Sequence, residues 1–424
     1  MSKKSRILTA IALSLCVAVL CWFVSPVRSA RERSPSEVFN QVWQTIDESF
    51  FDPNFNGVDW PALREKYEPQ VQQSQSGEET AAIINEMLSE LKTSHTHLYT
   101  PEEPAYYQLL GIFSPRNPQL REELQSLFPE GQLNSRGISY SGIGIVTKDI
   151  DGKTFVRAIF DGSPAAEAGV LVGDRILSAD NRPFHPIRSF AEKAGEEVEL
   201  KIERSPDNFQ NITVTPKMLD GTTMFLDAME ASIQIIPRNG KQIGYVHIWS
   251  YAGDRYQELL ERELLFGRLK NTDGLILDLR EGWGGASLNY LNLFTARGPS
   301  LTSILRDGSR HTYASSWEKP VVMLANGGSR SAKEVFAYAF QQYQIGPVVG
   351  SKTPGAVVAG RPFLMSDGSL LYVAVTDVYI DGETRLEGVG VAPDIAVPFD
   401  LQYARSSDPQ KERAVEVALE LVNF

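Results

Sequence analysis

Residues 327–340 read GGSRSAKEVFAYAF, two glycines and two serines between an apolar run at 320–325 and an amphipathic stretch. Serine at such a strand-to-helix turn has two readings. Ser331 with Glu334 fits the Ser-x-x-Glu capping box, in which the hydroxyl accepts from a helix N–H. Alternatively Ser331 is a nucleophile, exposed on a tight turn where the Ala332 N–H and the helix dipole favour an oxyanion. A second constellation is DLREGWGGAS, residues 278–287. Gly282 and Gly284 begin a dinucleotide-type G-x-G, but Ser287 stands where the third glycine belongs. That leaves a tight turn after a strand, or an oxyanion donor in which Gly284 or Gly285 lets a backbone N–H approach a carbonyl closely. A serine hydroxyl needs a base within hydrogen-bond reach. The five histidines are 95, 97, 185, 247 and 311, and the first two sit in LKTSHTHLYTPEE at 91–103. Histidine titrates near neutrality and suits a base. His95 also reads as the C-cap of a helix, His97 as a competing base two residues on, and the two together as a His-x-His metal pair without an obvious third ligand. The other three carry no pattern and read as structural.

The rest of the chain must position these residues. Its 424 residues exceed one ordinary domain and suggest two or three. Lys and Arg number 41 against 53 Asp and Glu, a net charge of −12, which argues against a nucleic-acid partner. Lys3, Lys4 and Arg6 precede an apolar run at 7–24, and Val27 and Ser29 fit the −3 and −1 residues of a secretory cleavage site. The run is also long enough to be an uncleaved membrane anchor. Either way the expectation is an exported protein, periplasmic, lumenal or secreted. Both cysteines, Cys16 and Cys21, lie in that run, so the remainder has no disulfide, cysteine nucleophile or cysteine-bound metal.

Residues 31–93 read as three helices, the first opened by Ser34, Pro35 and Glu37 as a capping box. Residues 101–135, with Pro104, Pro115, Pro118 and Pro129, read as irregular, a lid or a connection. Short strands follow from 138 to 218, interrupted by an expected short helix at IRSFAEKA, residues 187–194. From 223 onward apolar strand runs alternate with helices, the pattern of a layered α/β core.

The stretch 138–218 resembles a PDZ domain, on GIGI at 142–145, SPAAEAG at 163–169 and VGDRILSADN at 172–181. That resemblance implies an extended peptide added as a strand, its carboxylate held at Gly142, Ile143, Gly144 and Ile145. The larger order is PDZ, GLILDLREGWGG, NGGSRSAKE, PVVGSKTPGA and DGETRLEGVGVAPDI, spanning roughly 140–400. It resembles the carboxyl-terminal processing (tail-specific) serine protease family, whose nucleophile falls on Ser331. The lysine base of that family falls on Ala356, Lys352 is out of place, and Lys333 lies two residues along a helix, off the Ser331 face. Its tricorn-protease branch uses a Ser-His-Ser-Glu tetrad instead. By that resemblance Ser94-His95 supplies the histidine and its serine partner, and EGVGVAPD places the glutamate at Glu387. The backbone N–H of Ala332 and of Gly284 or Gly285 would hold the oxyanion. The expected organisation is a signal or anchor at 1–30, a helical region at 31–135, a PDZ domain at 136–220 and an α/β protease core at 221–424. The expected activity is hydrolysis of peptide bonds in peptide or protein substrates, with no metal or cofactor. The alternatives are an inactive ligand-binding protein on the same fold, like the retinoid-binding proteins, and a PDZ adaptor.

Overall fold

The computed structural model describes residues 34–127, 133–134, 137–295, 301–313 and 315–423. The apolar run at 7–24 and both cysteines lie outside them. Helix α1 (Pro35–Ser49) starts where expected: Ser34 Oγ accepts from the Glu37 N–H at 3.3 Å and the Glu37 carboxylate accepts from the Ser34 N–H at 3.1 Å. Val38, Phe39, Val42 and Ile46 form its buried stripe. Helices α2 (Trp60–Gln73) and α3 (Gly77–Ser89) follow, and strand β1 (His97–Tyr99) comes next. The stretch after 101 is not irregular. It forms α4 (Pro104–Phe113) and α5 (Pro118–Leu127), with Pro104 and Pro118 at the first helical position, where the missing N–H breaks no bond.

Strands β2 (Leu133–Asn134) and β3 (Gly137–Gly142) lead into a six-stranded antiparallel sheet, five strands of which form its main path. Its members are β4 (Ile145–Ile150), β5 (Lys153–Ile159), β6 (Arg175–Ala179), β8 (Val198–Ser205) and β9 (Asn208–Val214), in the order β4-β5-β6-β8-β9. Helix α6 (Pro164–Glu167) follows β5, and β7 (Arg182–Pro183) pairs with β6. Val156, Phe190, Leu200 and Ile202 fill the core of this unit. The expected helix at 187–194 is absent, and residues 186–192 are turns. His185 Nδ1 accepts the Ile187 and Arg188 N–H groups and the Ser189 hydroxyl oxygen accepts that of His185. Such local side-chain bonds stabilise a turn against a helix. Strand β10 (Lys217–Asp220) returns to pair with β3.

Helix α7 (Met224–Ser232) and edge strand β11 (Gln234–Arg238) open the core. Then come β12 (Lys241–His247), α8 (Asp254–Leu265), β13 (Gly274–Asp278), α9 (Asn292–Thr295), the hairpin β14 (Leu301–Ile304) and β15 (Arg310–Tyr313), β16 (Val321–Ala325), α10 (Ala332–Gln342) and β17 (Val348–Gly350). The six-stranded sheet runs β11-β12-β13-β16-β17-β20, parallel from β12 to β20 (Ile395–Ala396). Both faces are covered, which is why β13 and β16 read as unbroken apolar runs. Leu275, Leu277, Val321 and Met323 face α7, α8 and α10, while Ile276, Val322 and Leu324 face the last helix, α11 (Pro409–Val422).

Strands β18 (Ala359–Leu364) and β19 (Leu370–Thr376) leave this sheet and pair with β1 instead. Met365, Leu371 and Val373 pack among Val42, Ile46, Trp60 and Met87, so a late hairpin shares its core with the N-terminal helices. That pairing carries residues 94–97 to the loop after β17.

Candidate active site

Strand β16 ends at Ala325, and the chain turns through Gly327 and Gly328 before α10 begins at Ala332. Ser331 has φ 59° and ψ −133°, a left-handed backbone that a side chain adopts only under strain. It makes no capping hydrogen bond, because a capping residue needs an extended backbone to aim its oxygen at the helix. The Glu334 carboxylate also leaves the helix. It accepts from Thr353 Oγ1 at 2.6 Å, Gly355 N at 2.7 Å and Ala356 N at 2.6 Å. The capping-box reading of the sequence is therefore wrong, and Glu334 instead fastens the 353–356 loop to the turn. The Ser331 N–H is spent on the Ala356 carbonyl at 2.7 Å.

Ser94, His95 and Glu387 meet at that same loop. Ser94 Oγ lies 2.8 Å from His95 Nδ1 and 2.9 Å from Glu387 Oε2. Glu387 also accepts from the N–H groups of Ser94 at 2.8 Å, Val357 at 2.7 Å and Val358 at 3.2 Å. Burial alone would raise the Glu387 carboxyl, but these donors outweigh it and hold it below the usual carboxylate range. An ionised Glu387 can only accept, so the Ser94 hydroxyl donates to it and takes the His95 Nδ1 proton as acceptor. His95 Nε2 is then the unprotonated, basic nitrogen. Burial lowers the His95 pKa from 6.5 to about 4, helped by the Arg330 charge and opposed by Glu387. His95 lines one cavity with Arg330 and Ala356, the first adjacent to Ser331 in sequence and the second hydrogen-bonded to it. His97 points elsewhere, with Nε2 3.5 Å from Glu103 and 3.4 Å from the Asn85 amide.

The glycine turn sits against the nucleophile position. A Cβ added to Gly284 would lie 2.6 Å from Ser331 Cβ and 2.9 Å from Ala332 N, so only glycine fits there. Gly285 instead abuts Ala252. Lys333, fully buried, donates to the carbonyls of Glu281 at 2.6 Å and Trp249 at 3.2 Å, and burial lowers its pKa to about 7. It faces away from Ser331 and braces the turn carrying Gly284. Glu281 is bound on its other side by Arg157 of β5 at 2.8 Å, a direct link from the antiparallel sheet to the turn.

Comparison with known proteins fits this architecture. The sequence profile of peptidase family S41 matches residues 242–397, a tricorn protease C1 domain matches 31–89 and a PDZ domain matches 155–204. The carboxyl-terminal-processing protease of Synechocystis is 26% identical over 428 residues, covering 96% of this chain and 94% of its own. Residues 242–397 thus carry a peptidase family S41 domain. Tricorn protease homolog 1 of Streptomyces coelicolor is 25% identical and covers 90% of this chain, which spans only 35% of that relative. Among solved structures, a photosystem II D1 C-terminal processing protease superposes with TM-score 0.50 at 21% identity, covering 89% of this chain and 98% of its own. The tricorn protease superposes at 0.55 and 18% identity, covering 92% of this chain and 37% of its own. S41 peptidases are serine-type hydrolases, so the chain is a serine-type peptidase by family.

Ala356, where the resemblance to the processing enzymes expects the lysine base, lines the same cavity as His95. In the PDZ unit, Ile143 is buried and its carbonyl accepts from Ala165 N at 2.9 Å, while Gly144 has φ 76° and lies against Ser163. Gly142 pairs with Lys217, and Ile145 opens β4, the edge strand of the sheet. Among the described residues one group could hold a metal, Glu78, Glu102 and His185. Arg188 already pairs with both of its carboxylates, and His185 Nδ1 accepts backbone N–H groups, which puts the proton on Nε2. Arg330 did not stand out in sequence as part of a site and Lys333 was weighed only as a base, since the residues they touch, Trp283 for one and Trp249 and Glu281 for the other, lie far away in the chain.

Proposed function

We propose that the protein is an exported serine endopeptidase that works through Ser331, with His95 as base and its PDZ domain presenting extended peptide along β4. The observation that carries this reading is the relay Glu387–Ser94–His95, which leaves Nε2 basic in a chain lacking the family lysine. As Ser331 Oγ attacks the peptide carbonyl carbon, His95 Nε2 takes its proton. The tetrahedral oxyanion is met by the N–H groups of Gly284 and Ala332, each worth about 3 kcal/mol in such sites. Collapse breaks the C–N bond, and His95 gives its proton to the leaving amine. Water, deprotonated by the same nitrogen, then hydrolyses the acyl-enzyme and frees Ser331.

Export is supported by the apolar run after Lys3, Lys4 and Arg6 and by the chloroplastic relatives in Arabidopsis thaliana. The test is covalent labelling by a fluorophosphonate probe, with mass mapping of the modified residue. Labelling at Ser331 in wild type and His97→Ala, absent in Ser331→Ala and His95→Ala, supports the reading. A folded wild type that stays unlabelled, with and without a PDZ-binding peptide, refutes it.

A further inference from the structure

The half-buried, charged side chains near the site are paired with one exception. Arg280 holds Asp278 and Asp408, Arg157 holds Glu281, and Arg385 holds Asp377. Arg330, next to the nucleophile position, has no carboxylate and no hydrogen-bond acceptor among the described residues. Its guanidinium lies 4.7 Å from the Trp283 ring centroid. Trp283 is held in turn, donating Nε1–H to Gln108 Oε1 at 2.9 Å. Stacking satisfies the face of a guanidinium and leaves its in-plane N–H fork unused. That fork belongs to a cavity of about 130 Å³ lined also by His95, Tyr99, Ala356 and Tyr372. The space would take about four waters, or one small side chain. Ser94, Thr96, His97 and Trp283 complete the lining, and Arg330 is the one arginine or lysine in it.

We infer that Arg330 is a specificity-determining residue that receives a substrate carboxylate beside the scissile bond, which makes acid-bearing peptides the preferred substrate class. The planar fork matches a carboxylate in bidentate geometry, and a charge-assisted pair of this kind is stronger than a neutral one. Aspartate or glutamate side chains and a free chain terminus offer the same carboxylate. This inference rests on the peptidase reading given above.

The test uses internally quenched peptides in matched sets: Glu or Gln scanned across the positions flanking the bond, and a terminal carboxylate or amide next to it. Full-length wild type, Arg330→Gln and Arg330→Lys are compared at pH 7.5. Wild type should prefer the carboxylate member of a set about ten- to hundred-fold in kcat/KM, mainly through KM. The preference should collapse toward one in Arg330→Gln and return in part in Arg330→Lys. Preference confined to Glu peptides, or to free termini, identifies the source of the carboxylate. No preference in wild type, or one that survives Arg330→Gln, overturns the inference. If no peptide is cut and Ser331 resists labelling, the peptidase reading fails separately. Binding to Ser331→Ala protein then decides this one: equal affinity for a carboxylate peptide and its amide or Gln twin overturns it.

Discussion

Lowering the pH tests the relay most directly. Burial and Arg330 hold His95 well below its ordinary value, from 6.5 to about 4, with Glu387 only partly opposing. The base must be neutral to accept the Ser331 proton. At about pH 5, roughly 90% of a histidine with pKa 4 is neutral, against about 3% of one with pKa 6.5. Hydrolysis at about pH 5 should therefore fall less than about two-fold from its neutral plateau, where an ordinary histidine would lose about thirty-fold. The assay is kcat/KM for a fluorogenic peptide across pH 4 to 9, in excess buffer, with folding followed by circular dichroism. The same shift bears on stability. The folded state disfavours the imidazolium, so this contribution is complete above pH 6.5 and is lost as pH falls from there toward 4. Arg330→Gln removes the second cause and should move the acid limb upward. A wild-type limb centred at 6.5 or higher would refute the buried, relay-held imidazole.

Three further outcomes follow from the geometry. Ser94→Ala removes the link between Glu387 and His95 and should lower kcat by about ten- to hundred-fold with little change in KM, read by steady-state kinetics. Ser331→Gly should be more stable to urea than Ser331→Ala by about 1 kcal/mol, because only glycine relaxes at φ 59°. Lys333→Met should depress kcat more than KM in a chain that still folds, since the turn carrying Gly284 loses both of its lysine bonds.

What the sequence could and could not reveal follows from the range of the forces involved. The Ser34–Glu37 cap is local and was legible as a pattern. Ser331–Glu334 has the same spacing, yet a left-handed backbone and three donors from residues 353–356 redirect both side chains. Proline was read as a breaker at 104 and 118, although the first turn of a helix is where it costs least. Lys333 was legible as facing away from Ser331 by helical spacing, but not as a brace. Ser94, His95 and Glu387 could be nominated only by resemblance, and the structure brings all three together. Arg330 left no signal, because no motif records that a guanidinium lacks an acceptor among the described residues.

Ser94 and Glu387 stand 293 residues apart in the chain, and their contact depends on β1 pairing with β19. The relay therefore cannot exist in a partly made or partly threaded polypeptide. An unfinished copy carries the turn at Ser331 but lacks the Ser94–Glu387 contact until the late hairpin has docked on the N-terminal helices. On the peptidase reading proposed above, activity would therefore report completed folding.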